Sequence, residues 1–598
     1  MFKFLLAIPV SAVLLAHTLP VILLTAQSNE RPNVVVILTD DQGWGDLSLN
    51  GNNNLSTPHI DSIGRQGTRF DRFFVSPVCA PTRAEFLTGR YHPRGGVHDV
   101  SRGGERLNLD ERTIAQAFKE AGYKTAAYGK WHNGMQYPYH PSARGFDDFY
   151  GYCSGHWGDY FSPQLEHNGE LVQGQGYLVD DFTDHALKFI EQNQAGNFFL
   201  YLPIPTPHTP MQVPDAYWDR MKQKTLALKA RPEDSEDEDF TRAALAMVEC
   251  IDHNVGRVLN KLDELKLAND TIVVFFSDNG PNSFRWNGGM KGRKGSTDEG
   301  GVRSPLLISW PGKIQAGRLI PQICGAIDLL PTLTDLAGVP LASKTKPLDG
   351  VSLAPLLEGS AAAIPDRMIF SHWNGRVSVR TQQYRLDHGG QLFDMVNDPG
   401  QSKPITNLQP SVASELQAYV NKWKTELLTG LKDSHRPFTI GHPDFPLTQL
   451  PARDGQAHGN IQRSNKAPNC SYFTNWNNTQ DTMVWPVEVL AAGNFEIEMY
   501  YTCPESLVGA EVEVTLGENQ LRASIETAND PPQTGAQHDR VPRDTESLVK
   551  DFKPLRLGVV QLEAGQRELT LRASRLPSTA DSDSGSLEMR LFMFRRVR

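Results

Sequence analysis

Cysteine is scarce in this chain. Cys79, Cys153, Cys250, Cys324, Cys470 and Cys503 are the 6 among 598 residues, and none stands in a CxxC spacing. That excludes a disulfide-built scaffold and the ligand spacing of structural zinc, leaving Cys470 and Cys503 as the one candidate pair. Positive charge is also in deficit. With 59 basic and 69 acidic side chains the formal net charge is -10, which excludes nucleic acid as the main partner and requires a local cluster of cations for any anionic substrate. Internal repeats and low-complexity tracts are lacking, and so are long apolar runs beyond the N-terminus. The one such run, MFKFLLAIPVSAVLLAHTLPVILLTAQS, carries a lysine, an apolar stretch and a small-residue site ending at Ala26. It predicts a signal peptide over residues 1–26, export (periplasmic or secreted) after its cleavage, and no stable membrane insertion thereafter; an uncleaved anchor is the alternative.

What is present divides by periodicity. Residues 31–360 alternate short apolar runs with amphipathic stretches. NVVVILTDD is a β-branched run without period-two alternation, as expected of a central parallel strand buried on both faces. TIAQAFKEAG reads as a helix closed by Gly122, and YKTAAYGKWH, NFFLYLPIP and TIVVFFSDNG as further strands, giving a doubly wound, mainly parallel α/β sheet. Residues 361–435 read as a small α+β subdomain with paired strands and the closing helix SVASELQAYVNKWKTELL. Residues 436–467 read as an irregular, proline-containing linker. Over 468–598 apolar residues recur at every second position (Phe495, Ile497, Met499; Val512, Val514, Leu516; Leu569, Leu571, Ala573; Leu587, Met589, Leu591, Met593), predicting an antiparallel β-sandwich.

In open parallel sheets, ligands sit beyond the carboxyl ends of the strands. One strand here ends in Asp40 and Asp41, and another in Asp278 and Asn279. Either pair alone reads as a turn or a helix cap. On matching strand ends, the two together make an oxygen-ligand site for a hard cation, calcium or magnesium rather than zinc. Other strand ends carry Lys130, His132 and His208, and the loop MKGRKGSTDEGGVRSP adds Lys291, Arg293 and Lys294. Cations around a metal suit a tetrahedral oxyanion. Cys79 falls at the start of a helix, with Pro81 in its first turn and Gly89 closing it. It could be a thiolate with its pKa lowered by the helix N-terminus, or a buried structural cysteine. An oxygen there would suit the hard-cation ligands better than sulfur.

These motifs, in this order, resemble the formylglycine-dependent sulfatases of the alkaline phosphatase superfamily. CAPTRAEFLTGR matches the C-x-P-S/T-R signature with its trailing L-T-G-R, and NVVVILTDDQGWGDL, TPHIDSIGRQGTRF, GYKTAAYGKWH, PHTP, FFSDNG and KGSTDEGGVRSP match as well, over roughly Arg31 to Leu428. The resemblance implies that a formylglycine-generating maturation enzyme converts Cys79 to the aldehyde, hydrated to a gem-diol. It implies that Asp40, Asp41, Asp278, Asn279 and the oxygen of residue 79 bind one metal ion, calcium before magnesium, with Arg83 supporting that oxygen. It further implies that Asp278 assists attack, that His208 and Lys294 hold sulfate and assist the leaving group, and that His132, with Lys130 nearby, deprotonates the second hydroxyl to expel sulfate. The chain departs from the family pattern at Asp298 and Arg293, which would alter the pocket mouth, and the family's polar contact after the fourth strand falls on Ser154 or His156.

The expected activity is sulfate ester hydrolysis on aryl sulfates or, in nature, carbohydrate sulfates. The alternatives are a phosphonate or phosphodiester hydrolase of the same superfamily, or an inactive glycan-binding protein, which would need a lost core residue that the sequence does not show. For the sandwich, a structural or accessory role stands beside carbohydrate binding.

Overall fold

The computed structural model describes Met1 and residues 31–341, 345–431, 436–577 and 585–597. The expected signal peptide lies outside them apart from Met1. Among the described residues, no helix is long and apolar enough to cross a membrane.

The apolar runs pair into one sheet of ten strands: β1 (Asn33–Thr39), β2 (Thr68–Phe74), β3 (Lys124–Lys130), β4 (Asp148–Tyr152), β5 (Gln164–His167), β6 (Glu170–Gln173), β7 (Phe198–Ile204), β8 (Thr271–Ser277), β9 (Arg303–Ser309) and β10 (Arg318–Gly325). Their order is β10-β2-β9-β8-β1-β7-β3-β4-β5-β6. The central five, β8 to β4 in that order, are parallel, with Val36 opposite Val274 on one side and Tyr201 on the other. All seven residues of β1 are buried because helices cover both faces. Val35 and Ile37 pack on the side of α1 (Pro58–Gln66), α4 (Leu178–Gln192) and the long helix Glu238–Glu264. Val34, Val36 and Leu38 pack with Phe86 and Leu87 of α2 (Cys79–Thr88) and Ile114 and Phe118 of α3 (Ile114–Glu120). The expected doubly wound sheet is therefore present, with antiparallel strands at its margins.

A four-stranded antiparallel sheet over residues 369–394 and the helix Pro410–Leu428 share a small core of Tyr91, Val379, Leu416 and Trp423. Beyond them two six-stranded sheets face one another as a sandwich. The segment expected as an irregular linker is built into it. Strands Phe438–Ile440, Leu447–Pro451, Gln456–His458 and Gln462–Arg463 all pair with sandwich strands, the first of them in parallel. They are too short to show periodicity, which is why they read as loop.

Two further expectations change. Leu587 and Met589 face the sandwich core, but Leu591 and Met593 do not: a bulge at Arg590 turns the strand over, so that Phe592 and Phe594 point inward instead. Leu591 and Met593 cluster with Leu447 and pack on Leu171 of β6, burying the outer face against the large sheet. Cys470 and Cys503 do not pair; all six cysteines are free and buried. The Cys470 thiol faces the Ser547 carbonyl, whereas Cys503 lies in the sandwich core.

Candidate active site

The carboxyl ends of β1, β3, β7 and β8 converge on the N-terminus of α2. Asp41 takes a left-handed backbone conformation (φ 66°) that turns the chain back over the sheet, and its N–H donates to Asp278 Oδ1 at 3.2 Å. Asn279 Nδ2 donates to Asp41 Oδ1 at 2.8 Å, and Lys294 Nζ to Asp41 Oδ2 at 2.9 Å. Lys130, the last residue of β3, donates to Asp40. Asp40, Asp41, Asp278, Asn279 and Lys130 are all fully buried.

Asp40, Cys79 and Asp278 offer ligand atoms within 4.8 Å of one another, as do Asp40, Asp41 and His208. Asp40 Oδ1 and Asn279 Oδ1 are buried without a hydrogen-bond partner. Three carboxylates and an amide oxygen, two of whose oxygens lack partners, fit a hard cation such as calcium or magnesium. Burial works against ionising Asp40 and Asp41, and Lys130 and Lys294 respectively overcome it, so both carboxyls lie below the usual range. For Asp278, burial and the neighbouring Asp40 prevail and raise the carboxyl to about 7.

Arg83 ties this arrangement together: it donates to Asp278, Asp40 and the Lys130 carbonyl. Cys79 opens α2 with Val78 as its N-cap, and Gly89 closes the helix in a left-handed conformation. The sequence allowed a thiolate here. The structure reverses that, because burial pushes the Cys79 thiol up and outweighs Lys130 and Lys294, leaving a neutral thiol.

Burial lowers the pKa of the histidines as well. His132 is held well below its ordinary value by burial and then Lys130. His132 Nε2 donates to the Val100 carbonyl at 2.8 Å, so buried Nδ1, which has no partner, carries the free lone pair. His208 Nδ1 donates to the Thr209 carbonyl at 2.7 Å, leaving Nε2 3.7 Å from Asp41. Of the two candidates after β4, His156 lines the pocket and stacks on His208 with ring centroids 5.7 Å apart. Ser154 turns away, donating to the Asn469 carbonyl at 2.6 Å and accepting from Arg453. Arg293 lies at the pocket rim. Asp298 does not reach the pocket; it bonds Gln401 and Ser296, and Lys291 turns toward it.

The pocket above Cys79 has a volume of about 600 Å³, and one wall comes from the sandwich, through Pro468, Asn469 and the loop Val541 to Glu546. Glu546 is only 2% exposed. Its Oε1 accepts from Thr209 and Thr545, while Oε2 is buried without a partner. No sequence signal marks these residues, because they reach the site through contacts more than 300 positions long.

The chain matches the family model described as sulfatase over residues 32–339, and that described as N-sulphoglucosamine sulphohydrolase, C-terminal, over residues 294–426. N-acetylgalactosamine-6-sulfatase of Canis lupus familiaris is 32% identical over 381 residues, 58% of this chain and 69% of that protein. Arylsulfatase A of Homo sapiens is 32% identical over 436 residues, covering 64% and 81%. The solved structure of Ps i-CgsB in complex with k-i-k-neocarrahexaose superposes with a TM-score of 0.60 at 29% identity, covering 67% of this chain and 94% of that one. Fold and matches together define a sulfuric ester hydrolase. The chain belongs to the family of formylglycine-dependent sulfatases.

Proposed function

We propose that this protein is an exported carbohydrate sulfatase that works through a formylglycine made from Cys79 by a maturation enzyme, with one calcium ion held by Asp40, Asp41, Asp278 and Asn279. The observation that carries this reading is the placement of Cys79, at the start of α2, within 4.8 Å of the Asp40 and Asp278 ligand atoms. Its Sγ stands in for an oxygen of the aldehyde hydrate, and a hard cation favours that oxygen over sulfur. When bound, the cation polarises sulfate oxygen and steadies the charge of the hydrate; the hydrate supplies one hydroxyl to attack sulfur and a second whose deprotonation releases sulfate.

The surrounding residues fit the remaining tasks. Lys294 holds sulfate oxygens, and His208, when protonated at Nε2 beside Asp41, donates to the leaving group. Asp278 takes the proton of the attacking hydroxyl, and His132 Nδ1 takes that of the second. A sugar as the alcohol is supported by the names of the relatives and by the wall of the pocket. His156 Nε2 and Glu546 Oε2 are buried polar atoms without partners, and hydroxyl groups of a sugar would satisfy them.

Steady-state comparison of sulfated monosaccharides, an aryl sulfate and an aryl phosphodiester tests the reading. A sulfate ester should give the largest kcat/KM; a larger value for the diester would make the protein a phosphodiesterase of the same fold.

A further inference from the structure

A second cavity, about 1040 Å³ in volume, lies between the sulfatase unit and the sandwich, and five of its twenty lining residues are arginines. Arg102 and Arg106 come from the loop before Leu107, Arg436 and Arg463 from the start of the sandwich, and Arg567 from its strand Gly565–Arg575. Asp454 and Glu568 are the acidic members of the lining. Among the described residues, none of the five guanidinium groups has a carboxylate at ion-pair distance.

Three of these groups have both terminal nitrogens bonded to carbonyls. Arg106 donates to Pro437 O at 2.7 Å, Arg436 to Arg106 O at 3.0 Å, and Arg463 to Ala452 O at 2.8 Å. These bonds fix the side chains without neutralising them. Burial and then Arg436 lower Arg106, and burial and then Arg102 hold Arg463 at about 10. The other two keep donors without partners. Arg102 is exposed and has no hydrogen-bond partner among the described residues. Arg567 donates to Glu563 O and keeps a buried Nε without a partner. In a chain with a formal net charge of -10, such a groove, with five arginines against Asp454 and Glu568, is a locally positive surface, and guanidinium forks match sulfate oxygens well.

The groove and the catalytic pocket share a wall. Val100, whose carbonyl holds His132, lines the pocket, and Arg102 lines the groove. Two residues of chain separate their Cα atoms by roughly 7 Å at most. We propose that the groove is a second anion site, which binds a sulfated segment of the same glycan whose reacting sulfate ester occupies the Cys79 pocket. The inference rests on the carbohydrate reading above and extends it from a sulfated sugar to a polysulfated chain.

The test uses the full protein, the double variant Arg102→Ser/Arg567→Ser, labelled dextran sulfate and unsulfated dextran. The variant should bind dextran sulfate about tenfold more weakly, with the slope of log K against log salt reduced by about two. Its kcat/KM on 4-nitrophenyl sulfate should stay within about twofold of the parent, because neither arginine touches the catalytic pocket. Equal affinity of parent and variant for dextran sulfate, or equal binding of sulfated and unsulfated dextran, overturns the groove. A sulfated monosaccharide separates the two claims. If the parent hydrolyses it and the variant's affinity for the polymer is unchanged, the groove alone fails; if the parent hydrolyses no sulfated sugar, the carbohydrate reading beneath it fails.

Discussion

Arg83 grips one oxygen of Asp278 with two nitrogens, Nε at 3.1 Å and Nη2 at 2.9 Å, and both side chains are shut off from solvent. The same guanidinium reaches Asp40 at 3.2 Å and the Lys130 carbonyl at 2.6 Å, so a single cation joins the ends of β1, β3 and β8. Removing it leaves buried Asp278 without its ion-pair partner, while Asp40 keeps Lys130. Arg83→Met should lower the unfolding free energy by about 3 to 5 kcal/mol, as measured by urea denaturation. A loss below about 1 kcal/mol, the range of exposed pairs, would show that the network is not what holds the strand ends.

His132 is assigned as the base that releases sulfate because its Nδ1 is free and its ring neutral. His132→Gln should lower kcat by roughly 100- to 10,000-fold, the usual range for loss of a general base. Intact-protein mass spectrometry after mixing with substrate should find sulfate retained on residue 79. Since only the neutral imidazole accepts a proton, and burial then Lys130 depress its pKa, the acid limb of kcat should lie below 6.5. A limb at or above that value contradicts the assignment.

Glu85, on the helix that begins with Cys79, is buried and accepts from the His92 N–H at 3.3 Å. Burial raises its carboxyl from 4.5 to about 8. The folded state therefore binds this proton more tightly than the unfolded state, and stability falls as pH rises from 4.5 toward 8. Glu85→Gln keeps the acceptor and removes the titration. Its stability advantage over the parent should grow across that window and level off above it, as read from urea midpoints at several pH values; a constant difference would place Glu85 in a more solvated setting.

Glu546 joins the sandwich to the catalytic centre. Thr209, whose side chain donates to Glu546, also accepts the His208 Nδ1–H through its carbonyl. Glu546→Ala should therefore reduce kcat/KM about 5- to 30-fold on an aryl sulfate as well as on a sulfated sugar, which corresponds to about 1 to 2 kcal/mol. Unchanged kinetics on both would reduce the sandwich to a cover over the pocket.

The parts of this account that the sequence carries are those set by local rules. Asp40, Asp41, Asp278 and Asn279 follow fully buried strands, so their convergence on one sheet edge is written in the apolar runs before them. Pro81 and Gly89 delimit the helix that Cys79 opens. The rest depends on long-range packing. A helix start alone argues for a thiolate at Cys79, and burial reverses it. Period two places Leu591 on the wrong face because one bulged residue, Arg590, shifts the register. Glu546 and Asn469 have no local pattern at all, and enter the pocket only because the sandwich docks beside β6 and against Glu105 through buried Arg453.

The central claim is that Cys79 does not remain a cysteine. Purified from its native host, the active protein should yield a tryptic peptide whose mass shows an aldehyde oxygen in place of the thiol at residue 79, and this peptide should be captured by a hydrazide. Fully active protein carrying an unmodified thiol at that position would contradict the account.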